Sequence, residues 1–191
     1  MDAVRLTIPE TAAVTAVTAA QIRRWIKTCP DLIIRHEDRV SGGRGEETLL
    51  SIHTAMQLFV AGRLTEAGAQ VRDALVAGRS FAHVGDELRL PSQTFESGQT
   101  WLLAAGDSHR IANIKQSSPN ERLTYPSYAS LGDAVASFSS RVRSAGDCDV
   151  IAPAIITMNL DLLPLVVEQR IRNVLLEKRH RNTRLSSGGA E

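Results

Sequence analysis

The sequence predicts an α+β protein in two parts, a helix-rich N-terminal domain with a small hairpin and a smaller mixed α/β module behind it. Three observations predict it. Two helix-start signatures stand close together at Thr7 and Thr18. A short β-prone run and a glycine-rich turn follow them. After residue 99 the pattern changes, and strand-like runs about a Gly-Asp turn precede two amphipathic helices.

Thr7-Ile8-Pro9-Glu10 is a capping box, in which the Thr hydroxyl accepts from the third helical amide and the Glu carboxylate reaches back. Pro9 sits in the first turn, where no intrahelical donor is lost. Ile8 and Ala12 make a short inward face ending near Val14, and Thr15-Ala16-Val17 leaves room for a turn. Thr18 then caps a second helix to about Lys27, with Ile22 and Ile26 pointing inward beside Val17. Gln21, Arg23, Arg24 and Lys27 occupy most of its remaining surface. A helix with an apolar back and a Gln/Arg front suits a DNA major groove, because Arg forks onto guanine edges and phosphates and Gln onto adenine. On this helix alone, a merely solvated face is the commoner meaning of such charges.

Pro30 ends that helix, and Leu32-Ile33-Ile34-Arg35 reads as a strand. It leads to Ser41-Gly42-Gly43-Arg44-Gly45, a flexible turn, from which Glu46 to Leu50 returns as a second strand. Arg39 and Arg44 near the tip of this wing-sized hairpin suit a phosphate chain, because the glycines let the backbone approach closely. No Walker lysine follows the glycines, which argues against a nucleotide-binding loop. Ser51 caps a third helix from Ile52 to about Ala67, with Ala55, Leu58, Phe59, Gly62 and Leu64 inward and Gly68 as its stop. A fourth helix, about Gln70 to Ala77, buries Val71, Ala74 and Leu75 and stops at Gly78.

These stretches resemble the DNA-binding domain of MerR-type transcription regulators, a winged helix-turn-helix. The resemblance rests on Thr7-Ile8-Pro9-Glu10-Thr11-Ala12-Ala13, on Val17-Thr18, on Ile22-Arg23-Arg24-Trp25 and on Leu64-Thr65-Glu66-Ala67-Gly68, and covers Leu6 to Leu75. It implies that Arg23 is a DNA-contacting arginine and Trp25 an aromatic that contacts the DNA backbone. The chain departs from the family in three places: Ala16 replaces the usual turn Gly, Ala20 stands where a second basic residue often sits, and Glu47-Thr48 replaces an aromatic and an Arg. The implied contact set is Thr18, Ala20, Gln21, Arg23, Arg24, Trp25, Lys27, Arg39 and Arg44.

Beyond this domain, taken as residues 1–78, the stretch 79–99 reads as a linker with one weak helix through Phe81, Val84 and Leu88. Residues 100–180 form the mixed module, whose role (effector binding, dimerisation or partner binding) the residues leave open. It opens with a hairpin, Thr100 to Ala105 and Arg110 to Ile114 about Gly106-Asp107-Ser108-His109. A loop from Ser117 to Ser127, a helix capped by Ser130, a strand from Ile151 to Met158 and a helix from Leu160 to Arg179 complete it. Leu163, Val167, Ile171, Val174 and Leu175 stripe that last helix, either as a dimer seam or as packing within the module. Residues 181–191 read as a disordered tail.

The chain has 22 basic and 21 acidic residues over a length of 191, so any pull on nucleic acid is local rather than global. Two cysteines, Cys29 and Cys148, suit a reducing cytoplasm. The most apolar stretch, Val150 to Val167, is broken by Pro153, Asn159, Asp161 and Pro164, so no membrane span is expected. Asp107-Ser108-His109 has the residue types of a hydrolytic triad, but sequence neighbours on a turn point apart. Cys148 has no second thiol nearby and His180 is remote, so neither a metal site, a cofactor nor a catalytic group is expected. The resulting expectation is a cytoplasmic, nucleoid-associated, dimeric DNA-binding transcription regulator of MerR-like type, acting on double-stranded DNA. RNA polymerase and a small-molecule effector are further partners this reading admits. An architectural, excisionase-like or partition factor of mobile DNA is the alternative on the same fold.

Overall fold

The computed structural model describes residues 4–40, 47–85, 89–114, 127–128, 130–145 and 155–187. It is a mixed α/β protein, and its first short strand, β1 (Arg5–Thr7), runs directly into helix α1 (Ile8–Thr15). The Thr7 box closes in both directions, Thr7 N–H donating to Glu10 Oε2 at 2.8 Å and Glu10 N–H to Thr7 Oγ1 at 3.3 Å. Ala16 ends α1 in the left-handed region, with φ 60°. A side chain there costs about 1 kcal/mol that Gly would not.

Helix α2 (Ala19–Thr28) is followed by a difference from the sequence expectation. Leu32 and Ile33 lie in a single helical turn, α3 (Pro30–Ile33), rather than in a strand. Both side chains are buried, which a helical turn permits and the alternation of a half-buried strand does not. The returning strand is β2 (Leu49–Ser51), and its partner is β1, with Leu6 opposite Leu50. Among the described residues, the expected hairpin mate contributes only the bridge between Arg39 and Leu49. Its tip, residues 41–46 with Arg44, lies outside the described residues.

Ser51 caps helix α4 (Ile52–Glu66) as expected from the sequence, its Oγ accepting from Thr54 N–H at 3.1 Å. From Thr54 to Gly62 every residue of α4 is buried, so this is the central helix of the molecule and not a helix with one inward face. Helix α5 (Val71–His83) does not stop at Gly78. A Cβ at Gly78 would lie 2.6 Å from the Gln57 carbonyl oxygen, so the glycine permits close approach of α4 and α5. Gly62 does the same toward the turn, where a Cβ would lie 2.5 Å from Val17 Cγ2. Gln57, fully buried, ties three helices by donating to Leu32 O at 2.9 Å and Leu75 O at 3.0 Å.

The second half is built on strands β3 (Gln99–Ala105), β4 (Ser108–Ile114), β5 (Ser127–Tyr128) and β6 (Ile156–Asn159), in the order β5-β4-β3-β6. β3 and β4 form the expected hairpin, with Gly106 at φ 58° in its turn, and only the β4–β5 pair is parallel. Period-two alternation gives this sheet two apolar faces. Leu103, Ala105 and Ala112 pack on helix α6 (Leu131–Ala145) through Ala134 and Phe138. Leu102 and Ala104 belong instead to one continuous core with Leu6, Ile22, Leu58, Leu75 and Phe81 from the first half. The core therefore does not stop at residue 78.

Helix α7 (Leu163–Ser187) runs beyond the expected end near Arg179, through most of the stretch expected to be disordered. Its stripe of Leu163, Val167 and Ile171 is buried in that same core, with Val174 and Leu175 packed against it. Two contacts fasten it to α1. Arg170 Nη1 donates to Val14 O at 2.9 Å with its guanidinium 5.5 Å from the Phe59 ring centre, and Lys178 Nζ lies 2.9 Å from Glu10 Oε1. Burial raises the Glu10 pKa, but the Thr7 amide and hydroxyl together with the Lys178 ammonium outweigh it and hold the carboxyl below its ordinary value.

His83, at the end of α5, is a buried liability. Its Nε2 has no hydrogen-bond partner among the described residues, and its ring lies 6.0 Å from that of His53. Burial first, then the charge of Arg35 and the neighbouring His53, against opposing Glu37 and Asp38, push its pKa down from 6.5 to about 4. The folded value lies below the unfolded one, so the associated stability is complete above pH 6.5 and is lost as the pH falls toward about 4. Urea midpoints should fall across that window, and His83→Gln should flatten the fall. An unchanged slope in the variant would assign the acid sensitivity to other groups.

Candidate functional site

α2 presents an exposed cationic surface in the first half. Its N-terminus is set by a second capping box: Thr18 N–H donates to Gln21 Oε1 at 3.1 Å and Gln21 N–H to Thr18 Oγ1 at 3.2 Å. Its inner side is held by Ile22 and Trp25, both buried, and by half-buried Ile26. Ala20, Arg23, Arg24 and Lys27 then fall at i, i+3, i+4 and i+7, one outward stripe, and all four are exposed. None of the three cations makes an ion pair with a described residue. The second half covers α1, leaving this stripe to solvent.

Two members of the expected contact set are placed differently from their assigned role. Trp25 is only 5% exposed and serves the core, so its indole is not part of the outward stripe. The Gln21 carbonyl oxygen is taken by the cap, accepting from Thr18 Oγ1 as well at 2.8 Å. Forking onto a base edge with its whole amide would require opening the box. Thr18, at the helix start, is exposed but engaged in the same box.

A cleft of about 440 Å³ opens beside the stripe, lined by Ile8 and Pro9 of α1, Arg23 and Lys27 of α2, and Glu47 and Thr48 ahead of β2. The backbone approaching β2 is therefore beside the cationic helix. Arg39 is exposed at this edge, its N–H and C=O both bonded to Leu49 at 2.8 Å. What braces the edge is Asp38, a residue the sequence reading passed over. Its carboxylate accepts from Arg35 N–H at 2.8 Å, from Ser51 N–H at 2.6 Å and from Thr54 Oγ1 at 2.9 Å, joining the segment after α3 to the start of α4. An Asp followed thirteen residues later by a Ser cap carries no local signature, because both partners are long-range.

Chemically, a fixed row of two guanidinium groups and an ammonium on a rigid helix is a counter-surface for a polyanion. Elsewhere the arrangement supports less. Ser108 Oγ bonds Asp107 Oδ1 at 3.3 Å, so the hairpin turn does not form a Ser-His relay. Among the described residues no group of three His, Cys, Asp or Glu side chains is placed to hold a metal ion, and Cys148 lies outside them. Among those residues no helix is long and apolar enough to cross a membrane. No protein-family model matches the chain, and no curated protein matches it significantly.

Proposed function

We propose that this protein is a sequence-specific double-stranded DNA-binding transcription regulator of MerR-like, winged helix-turn-helix type. The observation that carries the reading is the stripe of Ala20, Arg23, Arg24 and Lys27, exposed, free of ion pairs to described residues, and mounted on a helix anchored by Ile22 and Trp25. α2 enters the major groove. Ala20 at its leading turn lets the backbone come close, Arg23 meets base edges, and Arg24 and Lys27 meet phosphates. Arg39 reaches the flanking backbone. Footprinting on the protein's own genomic neighbourhood at two salt concentrations tests this. A protected site whose sequence preference survives raised salt is expected, and salt-labile coverage without sequence preference would overturn it. Arg23→Ala should cost about 1 to 3 kcal/mol of specific binding and relax sequence choice.

One reading module has a limited interface, so two copies on a near-palindrome are part of the proposal. The stripe on α7 identified from the sequence is used up inside the chain, but a second row on the same helix is not. Leu165 is 64% exposed, Val166 and Leu176 lie on the same side of α7, and Leu162, 69% exposed, extends the row just ahead of the helix. Glu168 and Arg172 flank it, so an antiparallel pairing of two such helices sets each carboxylate beside the partner copy's guanidinium. Leu165→Glu should shift sedimentation from dimer to monomer without lowering the melting temperature. A wild-type chain that sediments as a monomer at micromolar concentration would remove the dimer from the reading.

A further inference from the structure

Away from α2, a cleft of about 350 Å³ lies between β4 and α6, at the low end of the size range of small-molecule sites. Ser108, His109 and Arg110 line it from β4, and Phe138, Arg141 and Val142 from α6. Strand alternation places Ser108 and Arg110 on the same face as Ala112, which packs on α6. Helical spacing places Phe138, Arg141 and Val142 together on the facing side of α6.

The lining is unusual in its polarity. Among the described residues it holds two guanidinium groups, an imidazole and a hydroxyl, and no carboxylate. Asp107, the nearest acid in sequence, lies in the exposed turn and accepts from Ser108 Oγ. Arg110 stacks its guanidinium 5.4 Å from the Tyr128 ring centre, which fixes the plane of the fork. Yet its Nη1 is buried and has no hydrogen-bond partner among the described residues. A buried, charged donor without an acceptor costs free energy that an anionic ligand would return. Phe138 and Val142 make the rest of the wall apolar, which a bare inorganic anion does not use.

We propose that this cleft binds a small carboxylate carrying an apolar or aromatic body, with Arg110 and Arg141 on the carboxylate and Phe138 and Val142 on the body. A planar carboxylate matches the guanidinium fork in two parallel hydrogen bonds, and the body displaces water from the apolar wall. Burial pushes the His109 pKa down, so near neutral pH its ring is a hydrogen-bonding group rather than a third charge. The site is independent of the DNA reading and stands or falls without it.

Calorimetric titration of the full chain with benzoate tests it, with benzyl alcohol and inorganic phosphate as comparisons. Benzoate should bind with a Kd near or below about 1 mM, and the alcohol and phosphate at least about tenfold more weakly. Arg141→Met, at an exposed position, should weaken benzoate at least tenfold with an unchanged melting temperature. Arg110→Lys keeps the charge but loses the fork and should weaken it similarly. Absence of benzoate binding, retention of it in both variants, or phosphate binding as tightly as benzoate would each overturn the proposal.

Discussion

Replacing Arg89 by Met is expected to lower the unfolding free energy by about 3 kcal/mol or more, with a matching drop in the urea midpoint. Arg89 is 5% exposed and its guanidinium faces a ring of carbonyls. Nη1 donates to Phe81, Leu90 and Gln93 oxygens at 3.0, 3.3 and 3.2 Å, and Nη2 to Ser80 and Val84 oxygens at 3.4 and 2.5 Å. Three of these acceptors belong to the last turn of α5 or the residue after it, where carbonyls have no intrahelical donor. Ser92 completes the cap, its N–H on Phe81 O and its hydroxyl on Ala82 O. Met fills much of the side-chain volume but supplies neither a donor nor the guanidinium that lies 5.3 Å from the Phe81 ring centre, so several buried carbonyls are left bare. Arg89→Lys retains the charge without the fork and should fall between the two. A loss under about 1 kcal/mol for Met would mean that water replaces the guanidinium freely and that the segment is not a cap.

This same segment was expected to be a linker, and the reason it was illegible is instructive. A polar, turn-rich run such as Pro91 to Gln99 reads as solvated because composition cannot report that Arg89, Ser92 and Phe95 turn inward. Local chemistry was readable wherever both partners sit within a few residues. The Thr7–Glu10 box, the Thr18 and Ser51 caps and the hairpin about Gly106 are all such cases, whereas Gln21, read as a base contact, closes a box on Thr18. Features with distant partners were not. β1 exists because Leu50 lies opposite Leu6, and Gly78 is a glycine because Gln57 crosses it, so neither could be told from its neighbours. The candidate site divides along the same line. The exposed cations follow from helical spacing once Ile22 and Ile26 point inward, whereas the burial of Trp25 depends on the rest of the core. Nothing in a single helix wheel separates an aromatic at its edge from one beneath it.

The stripe on α2 gives the second large effect. Arg23→Ala, Arg24→Ala and Lys27→Ala combined should reduce specific DNA affinity at least about thousandfold, and the slope of log affinity against log salt should flatten by up to about three. The stability of the fold should hardly change. All three side chains are exposed and unpaired to described residues, α2 keeps its box and its Ile22 and Trp25 anchors, and Ala is the better helix former. That asymmetry is what makes the variant decisive. A residue that braces the fold lowers affinity by lowering the population of folded protein, and its loss on random and specific DNA is then equal. A residue that meets the groove lowers affinity at constant stability, and Arg23 alone should account for most of the lost discrimination between sequences. Should the triple variant melt like the wild type and still footprint the same site, the polyanion surface must lie elsewhere on the molecule. The reading of α2 as the recognition element would then be wrong even if the protein binds DNA.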